Sequence, residues 1–142
     1  MISLICKQYG IENYTINDDG SIDVIGDVFI GSIKELPLIF NEVSGDFDCS
    51  GGELTTLKGC PRWIGGSFNC DFNNLTSLEF SPEYVGGYFS CEYNKLTNNY
   101  CDTEIGGKFY TSLKQDGLTK YNYNDWRKLY KRKMILDDIF DI

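Results

Sequence analysis

Cys49, Cys70 and Cys91 stand 21 residues apart. Sulfur at a fixed spacing is where metal, disulfide or thiol chemistry begins. Zinc spacing is absent, however, because the chain has no C-x-x-C pair and no His. Without His there is also no imidazole to activate a thiol or hydroxyl nucleophile. A small polarizable side chain stacked on its own copies in a core accounts for the spacing more simply. Cys60 and Cys101 fall on the returning side of the repeat described below. There a Cys60–Cys70 or Cys91–Cys101 disulfide is weighed against free thiols, the form expected in a reducing compartment. Asp27, Asp46, Asp48, Asp71 and Glu92 form a second candidate set. Paired carboxylates hydrolyse glycosides, but general acid catalysis needs a carboxyl desolvated in a cleft, which an open strand face does not supply. The pairs Gly65-Gly66, Gly86-Gly87 and Gly106-Gly107 are a third. A phosphate cradle needs glycines between a strand and a helix start, usually with Lys. These glycines open strands instead, which points to close coil packing or a bulge. The expectation is a chain with no catalytic residue, no cofactor and no metal.

The elements that would position these residues emerge from aligning the chain with itself. Copies begin VSGDFDCSGGELTTLKG at Val43, IGGSFNCDFNNLTSLEF at Ile64, VGGYFSCEYNKLTNNY at Val85 and IGGKFYTSLKQDGLTK at Ile105. A degenerate copy, VIGDVFIGSIKELPLIFNE, begins at Val24. Self-similarity at about 20–30 residues marks a solenoid. In the copy from Ile64, the residues Ile64, Gly66, Phe68 and Cys70 alternate inward, predicting one short strand per copy in a parallel sheet. Leu75 and Leu78 return to the interior. Asn73 and Asn94 sit at strand exits, where an amide can satisfy backbone groups that the ladder leaves. Thr55, Thr76 and Thr97 are read the same way.

The pattern F-x-C-x-x-N-x-L, carried by Phe68, Cys70, Asn73 and Leu75 and again by Phe89, Cys91, Asn94 and Leu96, resembles the leucine-rich repeat. Phe47, Cys49 and Leu54 follow it with Gly52 in the Asn position. The I/V-x-G-x-F-x-C variant is similar to the short, roughly 21-residue repeats of bacteriophage and bacterial proteins. That resemblance implies a β-rich (α+β) repeat solenoid of about five coils and a viral or microbial source. A five-strand sheet spans only about 20 Å, a small binding face and not an enveloping arc.

One domain of 142 residues is expected: a cap over 1–23, coils over 24–122, and a C-terminal helix and tail over 123–142. Asn17-Asp18-Asp19-Gly20 predicts the turn of an N-terminal hairpin, with a short helical turn before it. Asn124, Asp125, Trp126, Leu129, Tyr130, Met134 and Leu136 predict a capping helix.

Charge is uneven. Residues 1–104 carry five Lys/Arg against sixteen Asp/Glu, and residues 105–142 carry eight against five. An acidic body disfavours nucleic-acid backbones and anionic membranes and favours a protein partner with a basic surface. The basic run Arg127, Lys128, Lys131, Arg132 and Lys133 is read as an exposed helix face. No apolar run approaches a membrane span, and the start is too quickly polar for a signal peptide, so a cytoplasmic location is expected. The outward strand positions Asp27, Phe29, Asp46, Asp48, Asn69, Asp71, Tyr88, Glu92 and Tyr110 mix carboxylates with aromatics, a composition suited to a protein-binding surface. The expected function is non-catalytic protein binding. By the phage resemblance, this becomes inhibition of a host defence or nuclease complex. A structural or self-assembling stack is the alternative, and a small carboxylate-dependent hydrolase the third reading.

Overall fold

The structure, a computed structural model, describes residues 1–113. The chain enters through helix α1 (Ile2–Gln8). Gly10, at φ +69°, ends it, with Gly10 N–H donating to the Lys7 carbonyl and Ile11 N–H to that of Cys6. This left-handed cap satisfies two of the last carbonyls and turns the chain so that Cys6 and Ile11 are buried. The expected hairpin follows as β1 (Tyr14–Ile16) and β2 (Ile22–Val24), antiparallel, with Thr15 opposite Asp23. Asp19 Oδ1 closes the turn by accepting from Ser21 N and Oγ at 2.9 and 2.6 Å.

The repeat is a β-solenoid with about four complete turns, from Val24 to Ile105, and the opening of a fifth. Each turn carries two short strands, not one. Strands β3 (Val28–Phe29), β5 (Phe47–Asp48), β7 (Phe68–Asn69), β9 (Phe89–Ser90) and β11 (Phe109–Tyr110) make a five-stranded parallel sheet. Strands β4 (Phe40–Val43), β6 (Trp63–Ile64), β8 (Tyr84–Val85) and β10 (Glu104–Ile105) join β2 and β1 in a second sheet of six. All pairings in both are parallel except β1–β2. The single strand expected over Ile64–Cys70 is thus broken at Gly65-Gly66. The cause is space. A Cβ on Gly66 would come 2.8 Å from the Gly45 carbonyl, and one on Gly107 would come 2.7 Å from that of Gly87. Successive coils touch backbone to backbone at this corner, and its second position is glycine in every coil: Gly26, Gly45, Gly66, Gly87 and Gly107.

Core side chains stack in columns along the axis. Phe47, Phe68, Phe89 and Phe109 have ring centroids 6.1, 4.9 and 5.3 Å apart in that order. Phe40 adds an edge contact to Phe47 at 5.0 Å. Beside them run Leu54 with Leu75 and Leu57 with Leu78, all buried. Each coil caps the apolar face of the next, which no single copy could bury alone. The predicted C-terminal helix over 123–142, its basic face, and the coil residues after 113 lie outside the described residues. Among the described residues, no helix is long and apolar enough to cross a membrane.

Candidate protein-binding face

The five-stranded sheet turns one residue of each strand outward. In register these are Phe29, Asp48, Asn69, Ser90 and Tyr110. At the corner beside them lie Asp27, Asp46, Ser67 and Tyr88. Of the sequence-derived candidates, Asp27, Phe29, Asp46, Tyr88 and Tyr110 are exposed and Asp48, Asn69, Asp71 and Glu92 half-buried, and the two tyrosines meet edge to face at 6.0 Å.

The carboxylates do double duty. Asp27 Oδ1 accepts from Asp46 N, and Asp46 Oδ1 from Ser67 N, each at 2.7 Å. Ser67 Oγ continues the ladder by accepting from Tyr88 N. Asp71 Oδ1 takes both Glu92 N and Ser90 Oγ at 2.7 Å. Asp48 Oδ1 accepts from Ser50 N and Oγ, and Asn69 Oδ1 from Asp71 N. The parallel ladder does not reach these corner N–H groups, so a side-chain oxygen of the preceding coil, from Asp27, Asp46 or Ser67, replaces the missing carbonyl. The surface is therefore held in place by its own capping bonds. Burial pushes the Tyr88 phenol above its ordinary value, and the neighbouring carboxylates of Asp46, Asp48 and Asp71 push it further. Tyr88 thus sits amid their negative charge.

The asparagines are structural. Asn73 Nδ2 donates to the Cys49, Cys70 and Asp71 carbonyls while Oδ1 accepts from Leu54 N. Asn94 repeats the arrangement one coil on, toward Cys70, Cys91, Glu92 and Leu75. Thr97 Oγ1 bonds the Thr76 carbonyl as expected of that column.

The cysteine column is buried, and no disulfide joins any of the six cysteines, so neither the Cys60–Cys70 nor the Cys91–Cys101 bridge is present. Cys70 Sγ donates to the Ser90 carbonyl and Cys91 Sγ to that of Tyr110. Burial, with smaller help from nearby Asp48, pushes the Cys49 thiol from 9.0 up to about 12. It raises Cys70 and Cys91 in the same sense. These thiols are protonated packing groups. Because their folded pKa lies above the unfolded one, the unfolded chain loses its protons first. Stability is then full below pH 9 and falls as pH climbs toward 12, by up to about 1.4 kcal/mol per pH unit for each thiol. Urea midpoints across that range should show the decline, and Cys70→Val should flatten it by one thiol's share. Among the described residues, no group of three or more His, Cys, Asp or Glu is placed to hold a metal ion.

Two aromatic features escaped the sequence reading. The outward row of the six-stranded sheet runs Asp23, Glu42, Trp63, Tyr84, Glu104. Its Trp63 and Tyr84 rings stack at 5.6 Å. At the far corner, Phe72 and Tyr93 stack at 4.4 Å with planes 8° apart. The residue before each Ile/Val and the second residue after each Cys carried the signal, which became legible only once two sheets were known.

No family model matches the chain, and neither a curated protein nor a solved structure matches it.

Proposed function

We propose that the protein is a non-catalytic binding module whose partner is another protein with a basic surface. The observation that carries this reading is the outward face of the five-stranded sheet. Tyr88 and Tyr110 lie there among Asp46, Asp48 and Asp71, whose Oδ1 atoms are fixed by hydrogen bonds within the fold. A preorganised acidic face with aromatic anchors steers a basic partner and loses little freedom on binding. The phage-type resemblance extends the proposal to an inhibitor that occupies the basic nucleic-acid groove of a host defence or nuclease complex in the host cytoplasm. That extension is an analogy of sequence pattern.

The structure also shapes the test. Asp→Asn retains the Oδ1 acceptor and removes the charge. The combined variant Asp46→Asn, Asp48→Asn, Asp71→Asn should therefore melt like the parent chain. Affinity capture from host lysate, followed by mass spectrometry, should recover a basic partner with the parent and lose it with the variant. A partner held equally by both would refute the acidic-face reading. Self-assembly is the second reading, favoured by β3, which ends its sheet with Phe29 63% exposed. In the same capture it would appear as the chain recovering only its own copies.

A further inference from the structure

Three non-glycine residues at one repeat position adopt the left-handed backbone: Ser32 at φ 56°, Phe72 at 56° and Tyr93 at 55°. Gly51 holds this position in the intervening coil, at φ 71°. For a bulky aromatic residue this conformation is a real outlier. Gly51 shows that the turn itself asks for nothing larger than hydrogen. Yet Phe72 and Tyr93 are 57% and 62% exposed, so their rings are not there to fill the core. Strain kept at an exposed site, where the rings gain only their contact with each other, points to use.

The arrangement defines what the site would take. The backbones of Gly51, Phe72 and Tyr93 follow one another along the solenoid axis: Gly52 N–H donates to the Phe72 carbonyl, and Phe72 N–H to the Glu92 carbonyl. Tyr93 covers one face of the Phe72 ring. The other face is turned to the preceding coil, where Gly51 has no side chain and a Cβ built on it would meet nothing within 4 Å. Coils are about 4.8 Å apart, so the gap accepts one more flat group stacked on Phe72. A carboxylate precedes each ring in the chain, Asp71 before Phe72 and Glu92 before Tyr93. Asp71 Oδ1 accepts from Ser90 Oγ and Glu92 N of the following coil, so its charge stands beside the stack and acts on a cation over Gly51 through its field and not through a direct bond.

We propose that the Phe72–Tyr93 stack is an arginine-binding site, taking a guanidinium from a basic partner between Phe72 and the space above Gly51, drawn there by the negative charge of Asp71 and Glu92 beside the stack. Guanidinium is planar, stacks on aromatic faces and pairs with carboxylates through a fork of donors. An ammonium gains only the charge. This inference deepens the acidic-face reading and rests on it.

The test is a fluorescence-anisotropy titration of the full chain with a labelled oligoarginine peptide and an oligolysine peptide of equal length. The parent chain should bind the arginine peptide roughly fivefold tighter. Phe72→Gly suits the left-handed backbone, so it should leave the thermal midpoint unchanged or higher while erasing the arginine preference. Phe72→Asn, which also tolerates that backbone, repeats the measurement independently of chain flexibility. Equal binding of both peptides by the parent, or an arginine preference that survives both substitutions, would overturn the stacking site. If both peptides bind equally and the three Asp→Asn changes release them, the acidic face stands without the arginine site. If neither peptide binds, both readings fall.

Discussion

Asn73→Ala is expected to destabilise the chain by about 3 kcal/mol, measured as a fall in the urea midpoint at unchanged slope. The side chain is 5% exposed and makes four hydrogen bonds that tie two coils together. Its donors serve carbonyls that point into the turn, and its oxygen serves Leu54 N–H, which no backbone carbonyl of the ladder reaches. Truncation strands those groups where water has little access, and a buried unsatisfied polar group costs far more than a hydrogen bond contributes. The preceding coil shows why the amide belongs there. Coil two has Gly52 in the same repeat position, and a Cβ on Gly52 would lie 3.0 Å from Asn73 Oδ1 and 2.7 Å from the Ile33 carbonyl. Asn73 reaches back over Gly52 to serve the Cys49 carbonyl and Leu54 N–H, so one asparagine satisfies two turns. Asn94, only half-buried toward the end of the described stack, should lose less on the same change. Asn73→Asp separates the parts, since it keeps the acceptor for Leu54 and loses the donors.

Gly86→Ala is expected to cost about 3 kcal/mol, at the upper end of overpacking penalties. The new methyl would overlap the Gly65 carbonyl oxygen and approach its carbon to 3.1 Å. Both partners are backbone, pinned by Gly86 N–H to Ile64 and Gly65 N–H to Val43. No rotamer can relieve the contact. The coils must separate, and the Phe68–Phe89 pair at 4.9 Å would open with them. Gly51→Ala is the control. It meets nothing within 4 Å, and its cost is only that of placing a side chain at φ 71°, about 1 kcal/mol. Thermal midpoints of the two variants should differ accordingly. Similar losses from both would mean that the Gly86 corner yields.

These contrasts show what a repeat makes legible in one sequence. The 21-residue spacing of Cys49, Cys70 and Cys91 identified a solenoid and put its sulfurs inside, because a column of like residues is the simplest way to pack identical coils. Asn73, Leu75 and Leu78 read correctly for the same reason: each has a side-chain chemistry with one good place in the turn. The hairpin at Asn17–Gly20 was visible because turn chemistry is local.

The corner was not legible in that way. An alternation such as Ile64, Gly66, Phe68, Cys70 fits one strand as well as two, since a bend that keeps the inward residues inward leaves the period of two intact. Only contact between coils, with Gly66 against the Gly45 carbonyl, breaks the strand and creates a second sheet face carrying Trp63 and Tyr84. The same holds for the surface. From the sequence alone, Asp27, Asp46 and Asp71 were simply outward carboxylates. Tertiary structure made each of them the cap of a neighbouring coil's N–H. The sequence by itself determined the stacking, the core columns and the sign of the outer charge, because repetition and polarity are properties of the chain. Where the coil bends, which carboxylates bond to backbone and which ring faces stay open were decided by distances between residues some 20 positions apart, which only the closed coil brings together.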